Sequence, residues 1–491
     1  MGLKVLTLAS ESAPLVKVGG LGDVVGALPR ALRAMGHDVR VALPHYPMVK
    51  ARAERPGITF KRKGRVDVRW GANADETVAA SVHEIDLGGV PHYLLGGPSF
   101  QPPDKVYGTT IDEDAPKFIF YSMAAMALCR ELDWQPDILH VHDSHPGAAI
   151  YWLAAKGKRE RFWRPTASVL TIHNLPFQNN HAKKHLALAG LRPSRDPRLP
   201  WWARDGLMGL AIAYADQIDA VSSGYAAEIM GEEYGAGLDG LLRARADRVS
   251  GILNGLDYAI WNPSTDHALA HRFDTDTLDR RAANKLALQK ACGLKPDPDI
   301  PLMGVVSRLD YQKGFDIAAP SLKEVLARGE AQFVLLGTGM PELEALYEPM
   351  LTEFPGAASI NLRFDGALAS RIYGGCDIFL MPSRYEPCGT SQMIAMRYGA
   401  IPLVRATGGL IDTVQPYRHG ARGGSGTGFL FSEYSSGALL RALRRALKVF
   451  ADKAAWQALQ HRAMAVRFSW ERSAEHYVAT YERALGLKRN A

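Results

Sequence analysis

Lys4-Val5-Leu6-Thr7-Leu8-Ala9, then Lys17-Val18-Gly19-Gly20-Leu21-Gly22-Asp23, then Val39-Arg40-Val41-Ala42-Leu43, is the stretch that decides the fold. The first run is short and apolar, as a strand buried on both faces of a parallel sheet requires. Lys17 to Asp23 reads as a glycine-rich loop. Apolar residues recur at helical spacing over Val24–Met35, and Gly36 stops that helix. Val39–Leu43 is the next strand. Strand, loop, helix and strand form a βαβ unit, which predicts a parallel sheet with helices packed on it.

The same alternation extends outward. Ile138–Val141, Ser168–Ile172 and Asp219–Ser222 read as buried strands, and Ala115–Leu132 and Gly206–Ala215 as helices between them. Residues 60 to 100 alternate more and carry Gly-Gly pairs, which predicts β-hairpins. The pattern restarts near residue 300, with strands at Leu302–Val306, Gln332–Leu336, Ile360–Phe364, Ile378–Met381 and Ile401–Val404. Ile317–Ala327, Glu342–Leu351 and Ser391–Tyr398 supply the helices. Asn254–Pro298 is rich in turn signals and poor in apolar runs, so a domain boundary is placed at its start. The tail is helical and aromatic, with Trp456, Phe468, Trp470, Tyr477 and Tyr481. The expected domains are 1–254, 255–468, and a tail 469–491 that packs back on the first. Each of the two is an α/β, doubly wound parallel-sheet domain, and together they leave a cleft. Ligands of such sheets bind outside the carboxyl ends of the strands.

Composition narrows the function. Of 491 residues, 47% are hydrophobic and 22% charged, an ordinary globular balance that excludes a mainly disordered chain. The longest apolar run, Ala148–Ala155, is far short of the roughly 20 residues of a membrane span. The start is too short in its apolar part for a signal peptide and runs into Glu11, so the expected location is cytoplasmic. Cys129, Cys292, Cys376 and Cys388 show no C-x-x-C spacing, which argues against a zinc or redox motif. The net charge of +7 fits an anionic ligand such as a phosphate ester. No Lys/Arg block suggests nucleic acid.

Polar residues at strand ends carry the chemistry. The Lys17–Asp23 glycines let a ligand approach the backbone, and a helix start offers free N–H groups to phosphate. No carboxylate follows the second strand, where Pro44-His45-Tyr46 stands, which argues against a nicotinamide dinucleotide. Arg308 and Lys313, in Ser307-Arg308-Leu309-Asp310-Tyr311-Gln312-Lys313-Gly314, are two cations after a strand, suited to a diphosphate; a solvated basic loop is the plain alternative. Pro382-Ser383-Arg384-Tyr385-Glu386-Pro387-Cys388-Gly389-Thr390-Ser391-Gln392 offers a carboxylate and then a turn into a helix, which Thr390 or Ser391 could simply cap. Cys388 has no adjacent His or Asp and reads as a buried thiol. His140-Val141-His142-Asp143-Ser144-His145 and Thr171-Ile172-His173-Asn174 end two further strands. Their mix of imidazole, carboxylate and amide suits sugar hydroxyls; no ligand set for a metal emerges, and His140 reads as a buried, satisfied histidine.

In this order and spacing the motifs resemble the bacterial glycogen and plant starch synthases. Lys17-Val18-Gly19-Gly20-Leu21, His140–Asp143, Thr171–Asn174, Asn254-Gly255-Leu256-Asp257, Ser307–Gly314, Pro382–Gly389 and Thr407-Gly408-Gly409-Leu410-Ile411-Asp412-Thr413-Val414 carry the resemblance, over nearly the whole chain. It implies the GT-B fold, two Rossmann-like domains facing a central cleft. It implies retaining transfer of glucose from ADP-glucose to the non-reducing 4-hydroxyl of an α-1,4-glucan, with no divalent metal or other cofactor. It also implies roles. Arg308 and Lys313 hold the diphosphate, and Lys17 with the Gly19 and Gly20 backbone closes over the phosphates. Glu386 binds the glucose ring, His173 and Asn254 its 6-hydroxyl, and Asp143 lies near glucose and acceptor. Phe364 stacks on adenine, and Cys388, Gly389, Thr390 and Ser391 line the donor.

The sequence departs from that family at Ser144, where Trp usually stands, at Gly389-Thr390-Ser391-Gln392, at Gly366 and Ser370, and over Ile111–Lys117. Two other readings therefore stay open. One is a related retaining glucosyltransferase with a small acceptor or another nucleotide sugar. The other is a non-catalytic glucan-binding paralogue, against which the intact Lys17, Arg308, Lys313 and Glu386 speak. Neither membrane nor nucleic acid is expected as a partner, and the residues leave a homo-oligomer open.

Overall fold

The computed structural model describes residues 2–49, 60–71, 74–98, 100, 105–420 and 423–489. The chain divides into two compact units, Met1–Gly255 with Trp470–Ala491, and Leu256–Ser469. Each is built on one sheet.

In the first unit the strands are β1 (Lys4–Leu8), β2 (Asp38–Pro44), β3 (Phe60–Trp70), β4 (Glu76–Leu87), β5 (Val90–Gly96), β6 (Ile138–His142), β7 (Ala167–Ile172), β8 (Gln217–Ala220) and β9 (Val249–Gly251). They lie in the order β3-β4-β5-β2-β1-β6-β7-β8-β9. The strands from β5 to β9 are parallel, and β3, β4 and β5 pair antiparallel as the hairpins predicted over 60 to 100; residues 72, 73 and 99 of that stretch lie outside the described residues. The order reverses direction between β1 and β6, so a crevice is expected beyond their carboxyl ends.

In the second unit β10 (Leu302–Val306), β11 (Gln332–Leu336), β12 (Ala358–Asn361), β13 (Ile378–Met381), β14 (Ile401–Arg405) and β15 (Phe429–Phe431) form a wholly parallel sheet in the order β12-β11-β10-β13-β14-β15. The reversal there falls between β10 and β13.

Helices cover both sheets because their apolar stripes match. In the second unit Phe315, Leu322 and Val325 of the helix Phe315–Ala327 join Phe333, Ile378 and Leu403 of the strands in one core. In the first unit the last helix, Trp470–Arg489, buries Trp470, Ala474, Tyr477, Tyr481 and Ala484 against Val5, Leu28, Val39 and Val169. Each large apolar side chain so buried contributes about 1.5–3 kcal/mol.

Local chemistry moves some boundaries from their sequence-based positions. The first helix begins at Gly20, so Gly20 to Asp23, read as loop, form its first turn. The strand expected over Asp219–Ser222 ends at Ala220, because the Ser222 hydroxyl caps the next helix, accepting from the Tyr225 N–H at 3.0 Å. The strand expected over Ile360–Phe364 ends at Asn361, because Asp365 caps the helix Gly366–Gly375, accepting from the Leu368 N–H at 2.9 Å. The turn-rich stretch after residue 254 also holds a helix, Arg281–Ala291. Four of its five buried residues are polar, Arg281, Asn284, Lys285 and Gln289 beside Leu288, so it lacks an apolar stripe. Lys285 meets Asp377 at 2.7 Å, and Gln289 donates to Gln332 at 2.7 Å. No helix among the described residues is long and apolar enough to cross a membrane.

Candidate active site

Most of the residues singled out from sequence stand around the two reversal points, each in its own sheet. After β1 the chain makes a tight excursion and enters the helix Gly20–Ala34. Glu11, fully enclosed, holds that excursion. Its carboxylate accepts the backbone N–H groups of Val18 at 2.5 Å and Gly19 at 2.9 Å, and the Tyr107 hydroxyl. Lys17 stands half-exposed and pairs with Asp23 at 2.7 Å. A side chain at Gly19 or Gly20 would meet nothing within 4 Å, so both face open space. No side chain caps this helix, and its first N–H groups are free for an anion.

Across the same reversal, β6 delivers Asp143 in a left-handed backbone, φ 60°. One carboxylate oxygen accepts the N–H groups of His173 at 2.7 Å and Asn174 at 3.2 Å, which fixes the end of β7. Burial outweighs these donors and lifts the Asp143 carboxyl to about 7. Burial pushes the His140 and His173 imidazoles down to about 3 and His145 to about 4, and holds His142 well below its usual value; these rings are neutral at pH 7. His140 bonds Thr171 Oγ1 at 2.8 Å and the Tyr481 hydroxyl at 2.9 Å, a buried histidine with both nitrogens satisfied. His142 Nδ1 lies 3.0 Å from His173 Nε2. Asn254 is buried and its Oδ1 has no hydrogen-bond partner, as is Asn174 Oδ1. Buried unpaired acceptors are rare in folded proteins and call for an explanation such as a ligand donor.

In the second unit β10 leads into Ser307–Gly314. Asp310 caps the short turn Tyr311–Lys313, accepting from the Lys313 N–H at 3.0 Å, and pairs with Arg308 at 3.2 Å. Arg308 is otherwise open, its side chain 71% exposed. From the far side of the reversal β13 delivers Pro382–Ser391. Glu386 is buried, and both its oxygens meet Lys313 Nζ, at 2.9 and 2.8 Å. The Ser383 hydroxyl donates to the same carboxylate at 3.0 Å. Gly409 locks the loop. Its N–H donates to the Glu386 carbonyl at 3.0 Å, and a Cβ there would stand 2.3 Å from the Cys388 carbonyl oxygen. Gly389 turns the chain with φ 69° into Thr390, the first flank of the helix Ser391–Arg397. Neither Thr390 nor Ser391 caps that helix through its side chain, so the plain capping role is absent. Cys388 is buried, as its sequence suggested. Phe364, in the turn after β12, is 97% exposed, a large ring with nothing on either face.

The described residues contain no group of three or more His, Cys, Asp or Glu placed to hold a metal ion.

Residues 4–244 match the family model of the starch synthase catalytic domain, and residues 293–456 that of the group 1 glycosyl transferases. The glycogen synthase of Moorella thermoacetica is 41% identical over 100% of this chain and 98% of its own length. That of Streptococcus sanguinis is 41% identical, covering 98% of this chain and all of its own.

The chain belongs to the glycogen synthase family.

It is a glycosyltransferase of the GT-B class. The catalytic domain of starch synthase IV from Arabidopsis thaliana, solved bound to ADP and acarbose, superposes with a TM-score of 0.87 at 30% identity, over 99% of this chain and 100% of that one. Sucrose-phosphate synthase from Thermosynechococcus elongatus shares the fold alone, with a TM-score of 0.60 at 19% identity over 97% and 98% of the two chains.

Of the sequence-selected residues, Arg308, Lys313, Glu386, Cys388, Gly389, Thr390 and Ser391 stand around the reversal in the second sheet, and Phe364 in the turn after its edge strand. Lys17, Gly19, Gly20, Asp143 and His173 stand around the reversal in the first, and Asn254 follows β9. Glu11, Tyr107 and Ser383 hold the candidate site's loops and its carboxylate without a sequence pattern of their own; for Glu11 the one available signal is a carboxylate preceding a Gly-Gly loop.

Proposed function

We propose that this chain lengthens an α-1,4-glucan by transferring glucose from ADP-glucose to the non-reducing 4-hydroxyl, with retention and without a divalent metal. The observation that carries this reading is the pairing of Lys313 with the buried Glu386 at the reversal of the second sheet, with Arg308 open beside it. Breaking a glycosyl diphosphate builds negative charge on the departing ADP and positive charge on the sugar. Arg308 and Lys313 offset the first with fixed cations, the part a metal ion plays elsewhere. Glu386, freed as Lys313 turns to phosphate, accepts the ring hydroxyls of glucose. Phe364 offers its bare ring to adenine, and Thr390 and Ser391 offer hydroxyls to phosphate. In the first unit, Lys17 and the open Gly19-Gly20 backbone take phosphate charge. Asn254 and His173 take the 6-hydroxyl, and Asp143 attends the glucose and acceptor. Retention is assigned to attack from the leaving group's own face. The four cysteines are all free thiols, in keeping with a reducing, cytoplasmic setting.

The test is labelled-glucose incorporation into glycogen from ADP-glucose and, in parallel, UDP-glucose, with EDTA present. Incorporation from ADP-glucose alone is expected. Incorporation from neither, in protein that still binds ADP, would overturn the reading in favour of a small acceptor or a non-catalytic paralogue.

A further inference from the structure

Two aromatic rings of the first unit stand in solvent although the loops that carry them are fixed. Phe177 is 63% exposed and Trp201 is 78% exposed. Phe177 follows His173 on the segment leaving β7. The Ser144 hydroxyl donates to its carbonyl at 2.6 Å, and Asn179 Nδ2 donates to that same hydroxyl at 2.8 Å. Gln178 Nε2 donates to the Ala236 carbonyl at 2.8 Å. Asn179 and His181 hold left-handed backbone, φ 53° and 65°, which persists where the surroundings over-determine it.

Trp201 opens the turn Trp201–Ala203, which closes with the Ala203 N–H on the Pro200 carbonyl at 3.0 Å. The two loops are stitched together. The N–H groups of Leu207 and Met208 donate to the carbonyls of Asn179 and Gln178 at 3.1 and 3.0 Å, and that of Ala182 to Asp205 at 3.3 Å. Both loops belong to the connection that runs from the carboxyl end of β7 to the helix Leu207–Tyr214. The same strand end carries His173, and Ser144 follows Asp143. Burying rings of this size would stabilise the fold. Here two are held rigidly outside the core, beside residues that face the reaction.

We propose that Phe177 and Trp201 form a platform for the glucose units of the acceptor chain. The C–H faces of an α-1,4-linked glucose are apolar and its hydroxyls point outward. A flat ring covers such a face and leaves the hydroxyls to solvent and to neighbouring polar groups. Ser144 is a positioning residue for this platform, since its hydroxyl joins the end of β6 to the Phe177 loop. The occupant is a glucan several units long, because two rings on two loops need more than one sugar. The proposal rests on the reading that the acceptor is an α-1,4-glucan.

The experiment uses the full chain with Phe177→Ala, Trp201→Ala and the double variant. Rates are measured at saturating ADP-glucose against glycogen and maltoheptaose. Maltoheptaose binding without donor is followed by calorimetry. Each single variant is expected to raise the acceptor KM, and the maltoheptaose Kd, about tenfold, while the ADP-glucose KM stays within about twofold. Both side chains are exposed, so the thermal midpoint should not move. Unchanged acceptor KM and unchanged maltoheptaose binding in both variants would overturn the platform. A chain that transfers no glucose but loses maltoheptaose binding in the variants would keep the platform and sink the transfer reading, so the two failures are separable. A change in sedimentation with acceptor binding intact would assign the rings to contact between two copies, and would also overturn it.

Discussion

At Asp143 burial and backbone donors pull in opposite directions, and burial wins. The carboxyl titrates near 7, above the ordinary value of about 3.9, although it accepts two N–H groups. The sign of the linked stability follows. Below about 4 the acid is neutral in both folded and unfolded chains, and its contribution is fully present. As pH rises toward about 7 the unfolded chain ionises first, and that contribution is lost. Asp143→Asn cannot ionise. Its stability to urea should therefore fall less than that of the native sequence between about pH 4 and 7, with the buried histidines shifting both proteins alike. Identical pH slopes would contradict the burial of this carboxyl. The sequence already placed Asp143 and a buried, satisfied His140 at one strand end, because the apolar run Ile138–Val141 leads straight into polar residues. It did not show that Glu11 holds the glycine loop. That contact joins a side chain to backbone N–H groups through a tight turn, and no residue pattern encodes it.

Elements were legible where their apolar pattern was complete. β10, β11 and β13 fall where their runs of Val, Leu, Ile, Phe and Met place them. β8 and β12 end early, because Ser222 and Asp365 cap the following helices. The helix Arg281–Ala291 is hidden from its sequence, since its inner face is mostly ion pairs and amides around the single buried Leu288. One turn joins two elements at the candidate site. Gly314 ends the Tyr311–Lys313 turn with φ 76°, and a Cβ there would stand 2.0 Å from the Pro382 carbonyl oxygen. The strand ends of β10 and β13 meet at that point. Gly314→Ala adds left-handed strain to a clash with backbone, and should cost at least about 2 kcal/mol. Denaturant unfolding measures it; a loss below about 0.5 kcal/mol would show that the turn relaxes freely.

At the scale of the whole molecule, the parallel part of each sheet reverses its strand order once, and most of the candidate residues stand around those reversals. Sequence alone gave the repeated α/β alternation and the polar strand ends, so the fold class and most of the candidate residues were readable from it. Strand order was not, because it depends on pairings between segments far apart in sequence. The Lys313–Glu386 contact spans 73 residues and follows from β10 lying next to β13. That pair is the centre of the proposed transfer, and one comparison tests it most directly. Glucose incorporation into glycogen from ADP-glucose is measured for the native chain and for Lys313→Ala under the same conditions. Removing a fixed donor to developing negative charge costs about 3–4 kcal/mol, so Lys313→Ala should lose roughly 100-fold or more in kcat. Activity within a few-fold of the native chain would contradict the assignment of Lys313 to the departing diphosphate.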